Sequence, residues 1–120
     1  MILADTSIWI DHLRSHNSVF GRLLVDGQIL IHPFVIGELA VGSLKERNKL
    51  LRELADQPEA QKAHDTEVLA LIENNKLFGK GIGYVDAHLL ASARICRAKI
   101  WTTDKRLHSA AVGLGLASIY

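Results

Sequence analysis

Four acids in this 120-residue chain stand in surroundings that carboxylates usually avoid: Asp5, Glu38, Asp86 and Asp104. Asp5 ends the apolar run Met1-Ile2-Leu3-Ala4 and is followed by two hydroxyls, Thr6 and Ser7. A run that short reads as a buried strand. Asp104 also follows a strand-like segment, Lys99 to Thr103, which ends in the hydroxyls Thr102 and Thr103. In parallel α/β sheets, ligands lie in the crevice outside the carboxyl ends of the strands. Both acids therefore fall on the edge where such folds do chemistry. Glu38 is the only Asp, Glu, Lys or Arg between His32 and Lys45, and its helical neighbours are Phe34, Val35 and Val41. Burying a lone carboxylate is costly unless it is paired or bound to a metal. Asp86 opens a helix on which Leu89 and Leu90 are its neighbours at i+3 and i+4.

Taken singly, each acid has an ordinary explanation. Asp5 and Asp104 can cap the helices that follow them. A helix macrodipole favours an anion at the position of Asp86 by roughly 0.3–1 kcal/mol, and most helical glutamates are solvated. Taken together, they need a common cause, because two carboxylates about 4 Å apart repel by about 4 kcal/mol at an effective dielectric near 20. A hard divalent cation with oxygen ligands relieves that repulsion, and Mg²⁺ is typically held by one or two carboxylates, waters and substrate phosphates. Such an ion lowers the pKa of a bound water and stabilises charge on a phosphodiester. The pattern thus predicts a four-carboxylate, metal-dependent nuclease site. The hydroxyls of Thr6, Ser7, Thr102 and Thr103 are placed to orient the acids.

The elements that must position these groups alternate along the chain. After the first strand, spacing predicts a helix from Ser7 to Arg14 with Trp9, Ile10 and Leu13 inward, and a second one capped by Asn17 or Ser18 and ended near Gly27. A strand follows at Gln28 to His32, and Pro33 suits the first turn of a helix reaching Leu44. A polar amphipathic helix spans Lys45 to Ala55, and Asp56-Gln57-Pro58 is a turn. Glu59 to His64 is expected to hold a further strand. Asp65-Thr66 opens a helix ended by Asn74-Asn75, and Tyr84 to Arg97 is the clearest helix of all. A helix follows Asp104, and Leu116 to Tyr120 is expected to close the sheet as a strand. Strands alternating with helices imply an α/β fold, a three-layer α/β/α sandwich with a mainly parallel central sheet, built as a single domain over residues 1–120.

Composition narrows the remaining classes. Apolar residues make up 48% of the chain, enough for a core, and the net charge of +1 decides nothing about partners. Locally, Arg94, Arg97, Lys99, Lys105 and Arg106 against Asp104 leave +4 within residues 94–106, a candidate strip for RNA phosphates or else a solvated helix face. The single cysteine, Cys96, excludes a disulfide framework and reads as a small buried apolar group. The longest uncharged apolar stretch, Ile29 to Gly37, is interrupted by His32 and Pro33 and is too short to span a bilayer. With no basic leader at the N-terminus, a cytoplasmic setting is expected. Gly79, Gly81 and Gly83 are not followed by the GK[ST] ending of a P-loop, so they are read as freedom for the backbone to enter the next helix. His12 and His16 are four apart, but without an HExxH context they are read as exposed helix residues, and Trp9 and Trp101 as core.

The segments Asp5-Thr6-Ser7, Glu38, Tyr84-Val85-Asp86-Ala87 and Thr102-Thr103-Asp104 together resemble the PIN domain, and within it the VapC-type toxins of bacterial toxin–antitoxin pairs. The likeness runs from Ala4 to the end of the chain and includes Gly81 to Ala91 and Thr103 to Leu107. It implies an endoribonuclease dependent on Mg²⁺ or Mn²⁺, inhibited by a VapB-like antitoxin and usually dimeric. By position, Asp5 and Asp86 resemble the principal metal ligands, Glu38 and Asp104 the rest of the catalytic quartet, and Ser7 and Thr102 its supporting hydroxyls. A receiver-type phosphoacceptor would need an acid pair after the first strand, and a haloacid-dehalogenase-type phosphatase would need an acid where Ser7 stands. The remaining alternative is a non-catalytic PIN-like module that only binds RNA or protein. For a protein partner, Leu39, Val41, Leu44, Leu50 and Leu51 are expected to border a groove able to take an amphipathic helix, or else to fill the core or a dimer interface.

Overall fold

The central strand is β1 (Ile2–Ala4), and it is flanked by β2 (Ile29–Leu30) and β3 (Lys99–Trp101) in the order β2-β1-β3. All pairings are parallel: Ile2 and Leu3 lie opposite Ile29 and Leu30 on one side, and Ile2 to Ala4 lie opposite Lys99 to Trp101 on the other. This computed structural model describes residues 1–120. Successive strand side chains point to opposite faces, and Leu3 and Ala4 are both fully buried. Both faces of the sheet are therefore covered, as an apolar run without alternation requires. Parallel strands must be joined by crossovers, and the helices supply them. They are α1 (Thr6–Arg14), α2 (Ser18–Val25), α3 (Pro33–Val41), α4 (Arg47–Ala55), α5 (Asp65–Asn74), α6 (Tyr84–Cys96) and α7 (Lys105–Gly113).

The two strands expected at the sheet edges are each reduced to a single bridge. Ile31 pairs with Glu59 and Ile100 pairs with Ala117, both in parallel. On the first edge Pro58 has no N–H to donate, and the following residues Glu59, Gln61 and Lys62 are exposed polar groups that bury nothing. On the second edge the chain enters through Gly115 at φ +70°, and Ile119, 92% exposed, has nothing to pack on. Other expectations shift by a residue or two. Helix α3 stops at Val41 rather than Leu44, since Gly42 leaves the helical conformation, and Leu13 of α1 is exposed rather than inward. Cys96 is only half-buried.

The core is built around α6, in which Ala87 to Ala93 are buried without interruption. A helix buried on all sides belongs in the middle of a domain, and α6 carries two polar groups into it, His88 and Ser92. The radius of gyration is 13.8 Å, close to the roughly 14 Å of a compact chain of this length.

His32, fully buried at the start of α3, reaches Ser92 across this core. Its Nδ1 accepts the Phe34 N–H at 3.0 Å. The ring proton is therefore on Nε2, which lies 3.1 Å from Ser92 Oγ and donates to it. Burial lowers the His32 pKa to about 4, with the neighbouring positive charges of His88 and Lys62 acting in the same direction. A histidine whose folded pKa lies below its unfolded value of about 6.5 gives stability that is complete above that value and is lost as pH falls. Urea unfolding across a pH series should show a loss of roughly 3 kcal/mol between about pH 6.5 and 4. The His32→Asn variant keeps an acceptor for the Phe34 N–H and should lose most of this slope; an unchanged slope would assign the acid limb to other groups.

Candidate active site

The site is assembled where β1 and β3 end side by side. Asp5 follows β1 and donates its N–H to the Trp101 carbonyl at 3.1 Å, which fixes the two strand ends together. Its carboxylate is buried but well supplied with donors. Oδ1 accepts the Ser7 hydroxyl at 2.5 Å and the Ile8 N–H at 3.3 Å, and Oδ2 accepts the Thr102 hydroxyl. Those hydroxyls are themselves fixed: Ser7 Oγ accepts the Thr103 N–H at 3.1 Å, and Thr102 Oγ1 accepts the Asp104 N–H at 3.0 Å. Asp5 is thus both the cap of α1 and the anchor of the β3–α7 junction.

Asp104 caps α7, its Oδ1 accepting the Arg106 and Leu107 N–H groups at 2.8 and 3.0 Å. Its exposed carboxylate nevertheless stands at the same sheet edge as Asp5. Glu38 departs from expectation. It is exposed rather than enclosed by apolar neighbours, because α3 turns Val35 and Leu39 inward and leaves Val41 87% exposed. The packing of α1 on α3 brings it to the site, where Thr6 Oγ1 donates to Glu38 Oε1 at 2.8 Å. Asp86, half-buried in the first turn of α6, accepts the Gly83 N–H at 3.2 Å.

The electrostatics of Asp86 tie the four together. Burial pushes its pKa up, the Gly83 N–H pulls it down, and the negative charges of Asp104, Asp5 and Glu38 push it up further. The structure therefore brings Asp5, Glu38 and Asp104 within electrostatic reach of Asp86, from four different helix starts or faces. The donor set is all oxygen, which suits a hard divalent cation. No three His, Cys, Asp or Glu side chains form a preformed cage. Mg²⁺ does not require one, since it keeps several waters and takes one or two carboxylates.

The basic residues do not form one strip. Lys105 and Arg106 open α7, next to Asp104. Lys99 begins β3 opposite Ile2, at the end of the sheet away from Asp5, and its Nζ donates to the Gly115 carbonyl at 2.7 Å. Arg97 precedes it, and Arg94 lies eight residues along α6 from Asp86, about 12 Å at helical rise. Sequence reasoning missed Lys80, which joins Arg106 in lining the loop at Gly79 and Gly81. Its position between two glycines was the available signal.

The histidines take no part. His12 Nδ1 accepts the Asn17 N–H at 3.1 Å, which puts the ring proton on Nε2 and leaves no lone pair for a metal. His16 lies beyond the end of α1. His88 points away from the acids: its Nε2 lies 3.2 Å from Asp65 Oδ1, which also accepts the Tyr84 hydroxyl at 3.0 Å.

The chain belongs to the PIN domain family, whose profile matches residues 2–113. It is 45% identical over 118 residues to Ribonuclease VapC32 of Mycobacterium tuberculosis, found in two strains, with 98% of this chain and 95% of that protein covered. Among solved structures it is similar to PAE2754 from Pyrobaculum aerophilum, with a TM-score of 0.61 and 14% identity over 93% of this chain and 80% of that one. The second likeness speaks to fold alone. No helix is long and apolar enough to cross a membrane.

The acids should differ in what they contribute to stability. In metal-free protein, Asp86→Asn keeps an acceptor for Gly83 while removing a charge surrounded by like charges, so its Tm should rise. Asp5→Asn replaces one of the two acceptor oxygens by an NH2 donor that faces the Ser7 or the Thr102 hydroxyl, and should cost about 1–3 kcal/mol. Calorimetry of both variants would check this, and equal shifts would contradict the separate environments of the two carboxylates.

Proposed function

We propose that this protein is a divalent-metal-dependent endoribonuclease, the toxin of a VapBC-type pair, cleaving RNA phosphodiesters at Asp5, Glu38, Asp86 and Asp104. The observation that carries the reading is the environment of Asp86, a half-buried carboxylate on which the charges of Asp104, Asp5 and Glu38 act, with no cation within salt-bridge distance. The 45% identity to a protein named Ribonuclease VapC32 supports RNA as the substrate. Mg²⁺, or Mn²⁺ in its place, is the cofactor this reading requires, with Asp5 and Asp86 as the groups that would hold it.

When bound, the cation supplies a water of lowered pKa and offsets charge developing on the phosphodiester. The protein's own contribution is placement. Ser7 and Thr102 hold the Asp5 carboxylate in one orientation, each hydroxyl having its proton directed to Asp5 by the N–H that it accepts. The Gly83 N–H orients Asp86. Glu38 and Asp104 stand at the exposed side of the site, where a carboxylate can accept a proton from the attacking water and, once protonated, give one to the leaving oxygen.

Purified protein should cleave single-stranded RNA with Mg²⁺ or Mn²⁺ and stop in EDTA. Asp5→Asn and Asp86→Asn should each abolish cleavage while circular dichroism is retained. Ser7→Ala and Thr102→Val should lower metal affinity or activity by about 10–100-fold. Undiminished cleavage in EDTA, or full activity of Asp86→Asn, would sink the assignment.

The reading also requires a silencing partner, and we assign it a VapB-like antitoxin, with a homodimer as the expected resting assembly. Of the leucines expected to border a groove, Leu39 and Leu50 are buried in the core, and Leu44 and Leu51 are half-buried. The open surface is smaller: Leu13, Lys45, Glu46, Lys49, Leu50 and Glu53 line a hollow of about 90 Å³. An arginine of the partner could form a bidentate pair with one of the acids. Co-expression with the neighbouring small gene should yield a complex without RNase activity; a fully active complex would refute inhibition by that protein.

A further inference from the structure

Beside the acids, on the far side of the loop that leads into α6, lies an open cleft of about 470 Å³ between α7 and the segment after α5. Lys80, Lys105, Arg106 and Ser109 line it, and no acidic residue does. A smaller hollow formed by Gly79, Lys80, Gly81 and Arg106 continues it. None of the lysines or arginines has a carboxylate within salt-bridge distance, the one ion pair in the molecule being His88 with Asp65. The donors of these cations are therefore uncommitted.

The cleft and the acids are parts of one construction. Arg106 is tied to Asp104 through its backbone N–H, while its side chain folds over Gly81. A Cβ at Gly81 would lie 2.7 Å from Arg106 Cδ and 2.9 Å from Nη1, and Gly81 also holds a φ of +78°. Two residues on, Gly83 caps α6 and donates to Asp86. The same short loop thus touches the guanidinium on one side and positions a carboxylate on the other. Glycine at position 81 is what allows the guanidinium to lie this close.

From this juxtaposition the geometry points to a phosphate-binding subsite: Lys80, Lys105 and Arg106 hold backbone phosphates of the RNA strand flanking the bond that is cut. The inference rests on the ribonuclease reading and adds where the strand runs. A strand threaded past four carboxylates is repelled along its whole approach, and a cationic cleft on the exit side offsets that repulsion where a neighbouring phosphate arrives. An acidic protein segment would meet the same cations and the same repulsion, and it is the ribonuclease reading that favours an RNA strand. The cleft also excludes a direction. The cations at Arg97 and Lys99, at the opposite end of β3, do not lie along this path.

The test uses the cleavage-silent Asp5→Asn protein and a fluorescent single-stranded oligoribonucleotide, with affinity measured across a salt series. Removing one cation that grips a phosphate should lower the slope of log affinity against log salt by about 0.7. Lys80→Ala combined with Arg106→Ala should therefore flatten it by about 1.4. Gly81→Ala, which leaves Arg106 in the chain but displaces its side chain, should lower the slope by about 0.7. An unchanged slope in both variants would overturn the subsite. So would an equal fall from Arg97→Ala with Lys99→Ala, which would mark the charge as diffuse. Loss of partner-protein binding with RNA binding intact would overturn it too, by giving the cleft to that partner. Metal-dependent cleavage by the unaltered protein is read separately. Its absence, with the slope changes present, would remove the nuclease reading and leave an RNA-gripping cleft.

Discussion

Everything at the functional edge hangs on the Asp5 carboxylate and the two hydroxyls that point at it. Thr102 is 97 residues away from Asp5 in the chain, yet its hydroxyl donates to Oδ2 while Ser7 donates to Oδ1. Each hydroxyl accepts a backbone N–H from the β3–α7 junction, so its own proton is left for Asp5. A buried carboxylate needs such compensation, because losing water without gaining donors costs several kcal/mol. The same bonds join the first strand to the third and set the direction in which α1 and α7 leave the sheet. Structural and chemical duties therefore fall on one group, and the cap reading of Asp5 and its metal-ligand reading are compatible.

The four acids are stabilised unequally. Asp5 has hydroxyl and amide donors, Asp104 has the first amides of α7, and Glu38 has Thr6 and open solvent. Asp86 has one amide, and burial first, then the charges of Asp104, Asp5 and Glu38, push its pKa up. Under the proposed metal-dependent reading, Asp5 is the carboxylate held firmly in place, and Asp86 is the one that gains when positive charge arrives. Lys80 and Arg106 around Gly81 add positive charge from the neighbouring loop.

A second polar cluster stabilises the body of the fold without entering the chemistry. Asp65 at the start of α5 accepts from Tyr84 and faces the buried His88, both on α6. The Tyr84 hydroxyl, then the His88 contact, hold the Asp65 carboxyl below its usual range. The His88 ring is flanked by Phe34 and Tyr84, each with its centroid 4.8 Å away. These contacts clamp α5 against α6 and keep the start of α6, where Asp86 sits, at a constant distance from the sheet. His88 Nδ1 is buried without a partner, and nothing in the fold accounts for it.

Local pattern alone was enough to determine the order of the helices and the α/β class, and to single out the four acids as candidates. Each of these depends on short-range physics: apolar runs that only a buried strand accommodates, caps at Asp5, Asn17 and Asp104, and Pro33 in a first turn. Tertiary structure decided what local pattern leaves open. Edge strands form only if they have something to bury, so the segments at Glu59 and Ala117 shrank to single bridges. The apolar neighbours of Glu38 suggested burial, but exposure is set by what packs on a helix, and nothing covers Val41. Charges close together in sequence between residues 94 and 106 lie at opposite ends of β3, because a strand separates them. Lys80 and Arg106 are far apart in the chain and share one cleft, because Gly81 lets the guanidinium lie where any Cβ would stand.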